Sequence, residues 1–267
     1  MDLTATTPDG THISYRINGP AGGQTFVLIH SLAMTKSFWD PVVEILSVKS
    51  RVLTLDCRGH GASDKPDGPY SVEGFADDVA AICQDVGVTE AIVAGASMGG
   101  CVALAVANRH PSLTSGLGLI DTTAWYGEKA EDTWAGRADK ALSEGLGSLV
   151  EFQKTRWFSD HFRENSPDTV ENAVQTFLDN DPKAYSETCR MLGRCDLRDA
   201  LSSLSVPVEI FVGEEDYATP IAMAEAMHSA VSQSNLEVYE GARHFTPLEV
   251  PDALADMLGR LADRLEA

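Results

Sequence analysis

Two patterns of apolar and polar positions alternate along the chain. Short, solid runs of apolar, β-compatible residues are separated by longer stretches in which apolar residues recur at helical spacing. Solid apolar runs are typical of strands buried on both faces of a sheet, and the helical stretches supply the crossovers that parallel strands need. The pattern therefore predicts an α/β fold with a mostly parallel sheet flanked by helices. The predicted strands are residues 11–17, 25–30, 51–56, 91–96, 116–121, 208–212 and 236–239, and the predicted crossover helices include 72–86 and 97–108.

One interval, residues 124–204, interrupts this alternation because it contains helical spacing but no strand pattern. It begins just after the predicted strand that ends at Asp121 and ends where the next strand is predicted. We therefore expect a helical cap, inserted late in the sheet, that lies over the carboxyl ends of the strands. The domains are then a first core part (1–123), the cap (124–204) and a second core part (205–267). The helical windows within the cap are 138–151, 149–158, 169–179 and 183–191.

A serine lies at the junction of a predicted strand and a predicted helix, in the run Gly95-Ala-Ser97-Met98-Gly99. A sharp turn at this point leaves no room for side chains on either flank, which explains the two glycines around Ser97. The turn also places Ser97 at a helix N-terminus, where unpaired N–H groups favour negative charge. We interpret Ser97 as a nucleophile; the alternative is an ordinary glycine-rich turn.

A serine nucleophile needs a base, usually a histidine, whose tautomer is set by a carboxylate. His244 follows the last predicted strand on a glycine-containing loop, where this chain order places the base. For the acid we favour Asp216, which follows the strand 208–212. The alternatives are Asp121 and the two glutamates beside Asp216, Glu214 and Glu215.

Attack by Ser97 creates an oxyanion that preorganised N–H donors must meet. The amide of Met98, directly after the nucleophile, is the first expected donor, and that of Leu32, in the loop after the strand 25–30, is the second. We expect His30 to shape this loop through its ring nitrogens. The cap aromatics Trp125, Trp134 and Trp157 are candidates to line a substrate pocket, or else to fill the interior of the cap itself.

Composition limits the partners and the location. The chain has 267 residues, 43% of them hydrophobic, with 40 acidic against 20 basic side chains and a formal charge of −20. This charge argues against nucleic acid or a membrane as partner, and a carboxylate on the substrate would need a locally placed arginine. No apolar run is long enough for a membrane span and no signal peptide is recognisable, so we expect a cytoplasmic protein. Five cysteines without a C-x-x-C pair suggest neither disulfides nor zinc; we expect no metal and no cofactor, and a homo-oligomer stays open.

Together these segments resemble the α/β-hydrolase superfamily along the whole chain. The resemblance is carried by His30-Ser31-Leu32, by Asp56-Cys-Arg58-Gly59-His60-Gly61, by Gly95-Ala-Ser97-Met98-Gly99-Gly100, by Gly213-Glu-Glu-Asp216 and by Gly241-Ala-Arg-His244. Within the superfamily, the chain resembles the 3-oxoadipate enol-lactonase group, in which a glycine is usual where Ala33 stands. That likeness rests on His30-Ser31-Leu32, on Arg156-Trp157-Phe158-Ser-Asp-His-Phe162 and on Cys195-Asp-Leu-Arg-Asp-Ala-Leu201.

The resemblance implies hydrolysis of a lactone or ester through an acyl-enzyme, with an enol-lactone of 3-oxoadipate type as substrate. Ser97 would attack the lactone carbonyl, the enolate would leave as a ketone, and water activated by His244 would release the acid. By the same resemblance Arg156 would hold the substrate carboxylate; otherwise it is a solvated cap residue.

Other functions on this fold remain as alternatives. They are a carboxylesterase for another small ester, a carbon–carbon bond hydrolase of ring-fission products, a perhydrolase and, in a different class, a non-catalytic small-molecule receptor. A haloalkane dehalogenase or epoxide hydrolase is disfavoured, because each needs an aspartate nucleophile where Ser97 stands.

Overall fold

An eight-stranded sheet forms the centre of the molecule. The structure is a computed structural model that describes residues 1–266. The strands lie in the spatial order β1-β2-β4-β3-β5-β6-β7-β8. They are β1 (Leu3–Thr6), β2 (His12–Asn18), β3 (Thr25–Ile29), β4 (Arg51–Leu55), β5 (Ala91–Ala96), β6 (Thr114–Ile120), β7 (Val208–Gly213) and β8 (Ser234–Tyr239). Strand β2 pairs antiparallel with both β1 and β4, and all the other pairings are parallel. The predicted α/β class with a mostly parallel sheet is confirmed.

Helices cover the sheet and fill the interval between β6 and β7. They are α1 (Asp40–Leu46), α2 (Val72–Asp85), α3 (Met98–Arg109), α4 (Ala130–Glu144), α5 (Val150–Trp157), α6 (Asp160–Asn165), α7 (Pro167–Leu178), α8 (Pro182–Arg194), α9 (Arg198–Leu201), α10 (Ile221–Ala230), α11 (Thr246–Glu249) and α12 (Pro251–Glu266), with 3-10 turns at Lys36–Trp39 and Leu146–Leu149. None of the helices within residues 1–266 combines the length and the apolar character that a membrane span requires.

All seven predicted strands are present, with ends that differ by two residues at most. Strand β1 is absent from the prediction because it is a short edge strand in which only Ala5 is buried, so its apolar alternation is too brief to recognise.

The helical segment, residues 124–204, contains α4 to α9. An isolated bridge between Trp125 and Asp196 joins its two ends, and α4 packs along α8. The predicted helix over residues 138–151 is wrong as a single element. Gly145 takes a φ of +77°, which ends α4, and a 3-10 turn then leads into α5.

Strand β5 lies in the middle of the sheet and is buried along its whole length, and α3 packs on β3, β5 and β6. The parallel strands all point the same way, so the loops that follow β3, β5, β6 and β7 open at the same edge. This edge is where an open α/β sheet binds its ligands.

A buried ion pair ties together the loops that follow β3 and β4. Asp56 accepts hydrogen bonds from the backbone amide and from Nζ of Lys36, both at 2.7 Å, and from the amide of Ala62 at 2.9 Å. Burial opposes ionisation of Asp56, but the hydrogen bonds from Lys36 and Ala62 favour the charged form, and the pKa of this carboxyl lies below its ordinary value. Asp56 therefore stays ionised and holds the β3 loop in place.

Replacing Lys36 with methionine is expected to destabilise the protein by about 3–5 kcal/mol, because it leaves the buried Asp56 carboxylate without its cation. Lys49→Met removes the same charge at an exposed position and is expected to change stability by less than about 0.5 kcal/mol. Urea unfolding of both variants measures the difference; equal stabilities would contradict a structural role for the ion pair.

Candidate active site

The turn between β5 and α3 holds Ser97 in a backbone conformation that side chains seldom adopt, with φ 55° and ψ −118°. A Cβ atom on Gly95 would lie 1.9 Å from the carbonyl oxygen of Gly99, and one on Gly99 would lie 2.1 Å from the carbonyl oxygen of Ile29. The turn can close only because both positions lack side chains. It places the Ser97 hydroxyl at the N-terminus of α3.

Ser97, His244 and Asp216 form one chain of hydrogen bonds. Nε2 of His244 lies 2.9 Å from Oγ of Ser97, and Nδ1 of His244 lies 2.8 Å from Oδ2 of Asp216. The three residues are 7%, 5% and 2% exposed, so water screens these contacts poorly. They come from three separate loops, those after β5, β8 and β7.

Asp216 has a full set of donors besides His244. Its Oδ1 accepts the amides of Ala218 and Thr219, and its Oδ2 accepts the Thr219 hydroxyl. Burial opposes the negative charge, but His244 and Thr219 outweigh it and hold the pKa of Asp216 below its ordinary value. Asp216 is therefore an ionised partner for His244.

The structure gives the alternative acids other positions. Asp121, fully buried after β6, accepts the Gly213 amide and both the amide and the hydroxyl of Thr246. Burial, together with the charge of Asp216, raises the pKa of Asp121 well above its usual range. Glu214 accepts the amide of Gly241, and Glu215 pairs with Arg243. Asp216 is the acid that the structure brings to His244.

The loop after β3 brings Leu32 to the cavity beside Ser97. His30, a fully buried ring, donates from Nδ1 to the Ser31 carbonyl and accepts the Cys57 amide at Nε2. Burial lowers the pKa of His30, so the ring stays neutral in this tautomer. Ala33 takes a φ of +62°, in the left-handed region that favours glycine. Within residues 1–266, no group accepts a hydrogen bond from the Leu32 or Met98 amide.

The helical segment supplies the far wall of the cavity. Trp134, Arg156 and Trp157 line it, as the sequence predicts for substrate-binding positions. Trp125 does not reach it: its ring lies under the guanidinium of Arg198, 3.8 Å from the centroid. The complete lining is Ser31, Leu32, Ser97, Tyr126, Trp134, Arg137, Gln153, Arg156, Trp157, Ala218, Thr219 and His244.

Arg137 and Gln153 are among the polar lining residues that were not predicted. Arg137 lies three positions after Trp134 on α4, and Gln153 lies three before Arg156 on α5, so each pair shares a helix face. This spacing is the signal that could have found them. For Arg137 it was missed because the predicted helical window began at residue 138. Gln153 lay within the predicted window 149–158, but the sequence pattern did not mark it as a lining position.

Among the residues that the structure describes, no group of three or more His, Cys, Asp or Glu side chains could hold a metal ion. The polar groups around the cavity are instead those of a nucleophile, its base and several hydrogen-bond donors.

A family model described as alpha/beta hydrolase fold matches residues 24–251. The chain belongs to the alpha/beta hydrolase family. Among curated relatives of this hydrolase, 3-oxoadipate enol-lactonase 1 of Acinetobacter baylyi is 31% identical over 252 residues, which cover 94% of this chain and 92% of the relative.

Solved structures of other family members superpose closely on this hydrolase. The enol-lactonase from Burkholderia xenovorans LB400 matches with a TM-score of 0.90 and 30% identity, over 97% of this chain and 99% of that chain. A thermophilic esterase from Thermogutta terrifontis, with malate bound, matches with a TM-score of 0.93 and 27% identity over 100% of both chains. The resemblance to the superfamily and, within it, to the enol-lactonase group is confirmed.

Replacing Gly99 of this hydrolase with alanine is expected to lower its stability by about 1–3 kcal/mol or more, because the new Cβ overlaps the Ile29 carbonyl. Gly136→Ala is the matched control: it lies exposed within α4 with nothing within 4 Å of an added Cβ, and should stabilise by roughly 0.5–1 kcal/mol. Thermal unfolding distinguishes the two, and a Gly99→Ala protein as stable as the wild type would contradict the steric account of the turn.

Proposed function

We propose that the protein hydrolyses a lactone or small ester through a covalent acyl-enzyme on Ser97, with His244 as base and Asp216 as its carboxylate partner. The observation that carries this proposal is the hydrogen-bonded chain from Ser97 to Asp216 at the wall of a cavity. Hydrolysis of ester or lactone bonds is the activity named for the enol-lactonase and esterase relatives.

In the first half-reaction, Nε2 of His244 takes the proton of the Ser97 hydroxyl as Oγ attacks the substrate carbonyl. Asp216 keeps the other ring nitrogen protonated and stabilises the imidazolium that forms. The carbonyl oxygen becomes an oxyanion that the amides of Leu32 and Met98 receive. Neither amide has another acceptor within residues 1–266, which supports this role.

When the tetrahedral intermediate collapses, the bond from the carbonyl carbon to the leaving oxygen breaks. For an enol-lactone the leaving group is an enolate, which takes up the proton that His244 received from Ser97 and becomes a ketone. A water molecule then gives a proton to His244 and attacks the acyl carbon, so that the carboxylic acid departs and Ser97 recovers its proton. Because an enolate is a good leaving group, proton donation by His244 matters less in the first half-reaction than in amide cleavage.

The donors that face the cavity support a substrate with a carboxylate. Arg137 donates to the Tyr185 hydroxyl and rests on the faces of Trp134 and Tyr185, and Arg156 donates to the Tyr217 carbonyl. Among the side chains of residues 1–265, no carboxylate forms an ion pair with either arginine. Burial, and then the charge of Arg137, lowers the pKa of Arg156 from its usual range. Two cations without an acidic partner favour an anionic ligand.

Gln153 adds a third unmet donor to the same wall. Its Nε2 is buried and has no hydrogen-bond partner within the described residues. A buried amide without an acceptor costs about 1–3 kcal/mol, which an oxygen of the substrate would recover. We therefore favour an enol-lactone of 3-oxoadipate type over an uncharged ester.

The remaining functions differ in what they ask of this site. A receptor would need no hydrogen-bonded chain to Ser97, and an uncharged ester would leave Arg137 and Arg156 without a ligand. Perhydrolysis and carbon–carbon bond hydrolysis stay alternatives to the proposed function. A cytoplasmic location stays a prediction, and a homo-oligomer stays open.

Mixing the protein with p-nitrophenyl acetate is expected to release a burst of p-nitrophenol, as Ser97 is acylated faster than it is deacylated. The burst should vanish in Ser97→Ala, and His244→Ala should abolish turnover. Asp216→Asn should lower kcat by about 10³–10⁴-fold because the histidine loses its correct tautomer.

Asp121→Asn is the matched control for the acid, since Asp121 is equally buried but does not touch His244. It should lose far less activity than Asp216→Asn. A wild-type protein without burst or turnover would refute the hydrolase proposal, whereas an inactive Asp121→Asn beside an active Asp216→Asn would refute the choice of acid.

Arg137→Gln is expected to raise KM for a carboxylate-bearing enol-lactone by roughly 10–100-fold, the equivalent of one lost charge-assisted hydrogen bond. KM for p-nitrophenyl acetate, which has no carboxylate, should change little in the same variant. Steady-state kinetics on both substrates, with Arg156→Gln in parallel, assigns the carboxylate to one arginine or to both. An equal effect on the two substrates would contradict carboxylate recognition.

A further inference from the structure

Arg243 is a buried cation beside the base, and it has no part in the reaction proposed above. Its side chain is 9% exposed. Nε lies 3.1 Å from Oε2 of Glu215, and Nη1 lies 2.9 Å from the Thr155 carbonyl oxygen and 3.0 Å from that of Phe158. Nη1 is also 2.9 Å from Oδ1 of Asp160. These acceptors satisfy a guanidinium that would otherwise be costly to bury.

The ion pair between Arg243 and Glu215 runs beside the hydrogen bond between His244 and Asp216. Arg243 directly precedes His244 in the chain, and Glu215 directly precedes Asp216. Two neighbouring residues of one loop therefore pair with two neighbouring residues of the other. The Glu215 amide also donates to the Ala242 carbonyl at 2.9 Å. The loops after β7 and β8 are therefore joined at two successive side-chain pairs.

The other side of Arg243 faces the end of α5. The last carbonyls of a helix have no partner within the helix and lie at its negative end, where a cation is stabilising. Arg243 meets this need through Thr155 and Phe158. Arg156 and Trp157, which line the cavity, lie between these two acceptors.

Phe245, which follows His244 in the chain, also contacts the end of α5. The Phe245 amide donates to the Trp157 carbonyl at 2.9 Å, and the two rings stack with centroids 4.9 Å apart and planes 12° apart. Glu249, further along, accepts both the amide and the hydroxyl of Ser159 at 2.9 Å. The base is thus bracketed by contacts with the junction of α5 and α6.

We infer that Arg243 is a positioning residue: it sets His244 against Asp216 and Ser97 and, through the end of α5, fixes Arg156 and Trp157 relative to the base. The inference rests on the proposed function, since it assigns His244 the role of base. Without Arg243 the histidine keeps its bond to Asp216, but its loop loses the side-chain contacts that Arg243 makes with Glu215 and with the end of α5. Misplacement of a reacting group by about 1 Å can cost about 10²-fold in rate.

The test is the rate at which a fluorophosphonate labels Ser97, because this reaction needs an activated serine but no particular substrate. We expect Arg243→Gln to slow labelling, and to lower kcat on p-nitrophenyl acetate, by about 10–100-fold while KM changes by less than about threefold. Glu215→Gln should lower the labelling rate and kcat on p-nitrophenyl acetate by a smaller factor. The double variant should be no slower than Arg243→Gln, since both changes remove one interaction.

Arg260→Gln is the matched control, because Arg260 is an exposed arginine on α12 that pairs with Glu237 away from the cavity. It should label at the wild-type rate. All rates are measured well below the unfolding midpoint of each variant, so that loss of stability alone does not change them.

A folded Arg243→Gln that is labelled as fast as the wild type would overturn the inference. If Arg243→Gln does not fold, the labelling rate of Glu215→Gln tests the inference instead. Labelling at the wild-type rate would overturn the inference, and slower labelling with an unchanged KM would support it. A wild-type protein that is not labelled at all would instead refute the proposed function, so the two failures are distinguishable.

Discussion

The close approach of α3 to the ends of β3 and β5 is the constraint on which the rest of the site depends. Gly95 and Gly99 allow backbone to contact backbone, and the turn between them forces Ser97 into a left-handed conformation. Since a strained residue persists only where its surroundings hold it, the buried strand β5 and the packing of α3 stabilise this turn. The nucleophile is therefore presented at the junction of a fully buried strand and the helix that packs on it.

The partners of Ser97 come from loops, and buried polar contacts hold these loops in place. Asp56 and Lys36 secure the loop after β3, Asp121 links the loops after β6, β7 and β8, and Arg243 links the base to α5. Such groups are expensive to bury, so each is surrounded by several hydrogen-bond partners. Their common effect is to fix the ends of the loops that carry the site.

Charge is distributed unevenly between the surface and the cavity. The chain carries a formal charge of −20, yet the cavity wall presents Arg137 and Arg156, which have no acidic partner among the described side chains. An acidic surface repels an anion at a distance, whereas two half-buried guanidiniums attract it at contact. Discrimination for a carboxylate would thus arise inside the cavity, from the helical segment, while bond cleavage arises from the core.

A feature of the fold or of the site could be predicted from the sequence where neighbouring residues in the chain specify it. The strands, the Ser97 turn, His244 and the preference for Asp216 follow from apolar runs, glycine positions and chain order, which are properties of neighbouring residues. Asp121 and Asp216 both follow strands and could not be separated that way; the tertiary structure separates them, because hydrogen bonds from Thr246 and Gly213 take up Asp121. Arg137 and Gln153 in the cavity, Trp125 outside it, and Arg243 beside the base were likewise decided only by the tertiary structure. Their positions depend on how α4 and α5, which Gly145 separates, pack over the sheet. This packing brings together residues that are distant in the chain, and a local sequence pattern carries no information about such contacts.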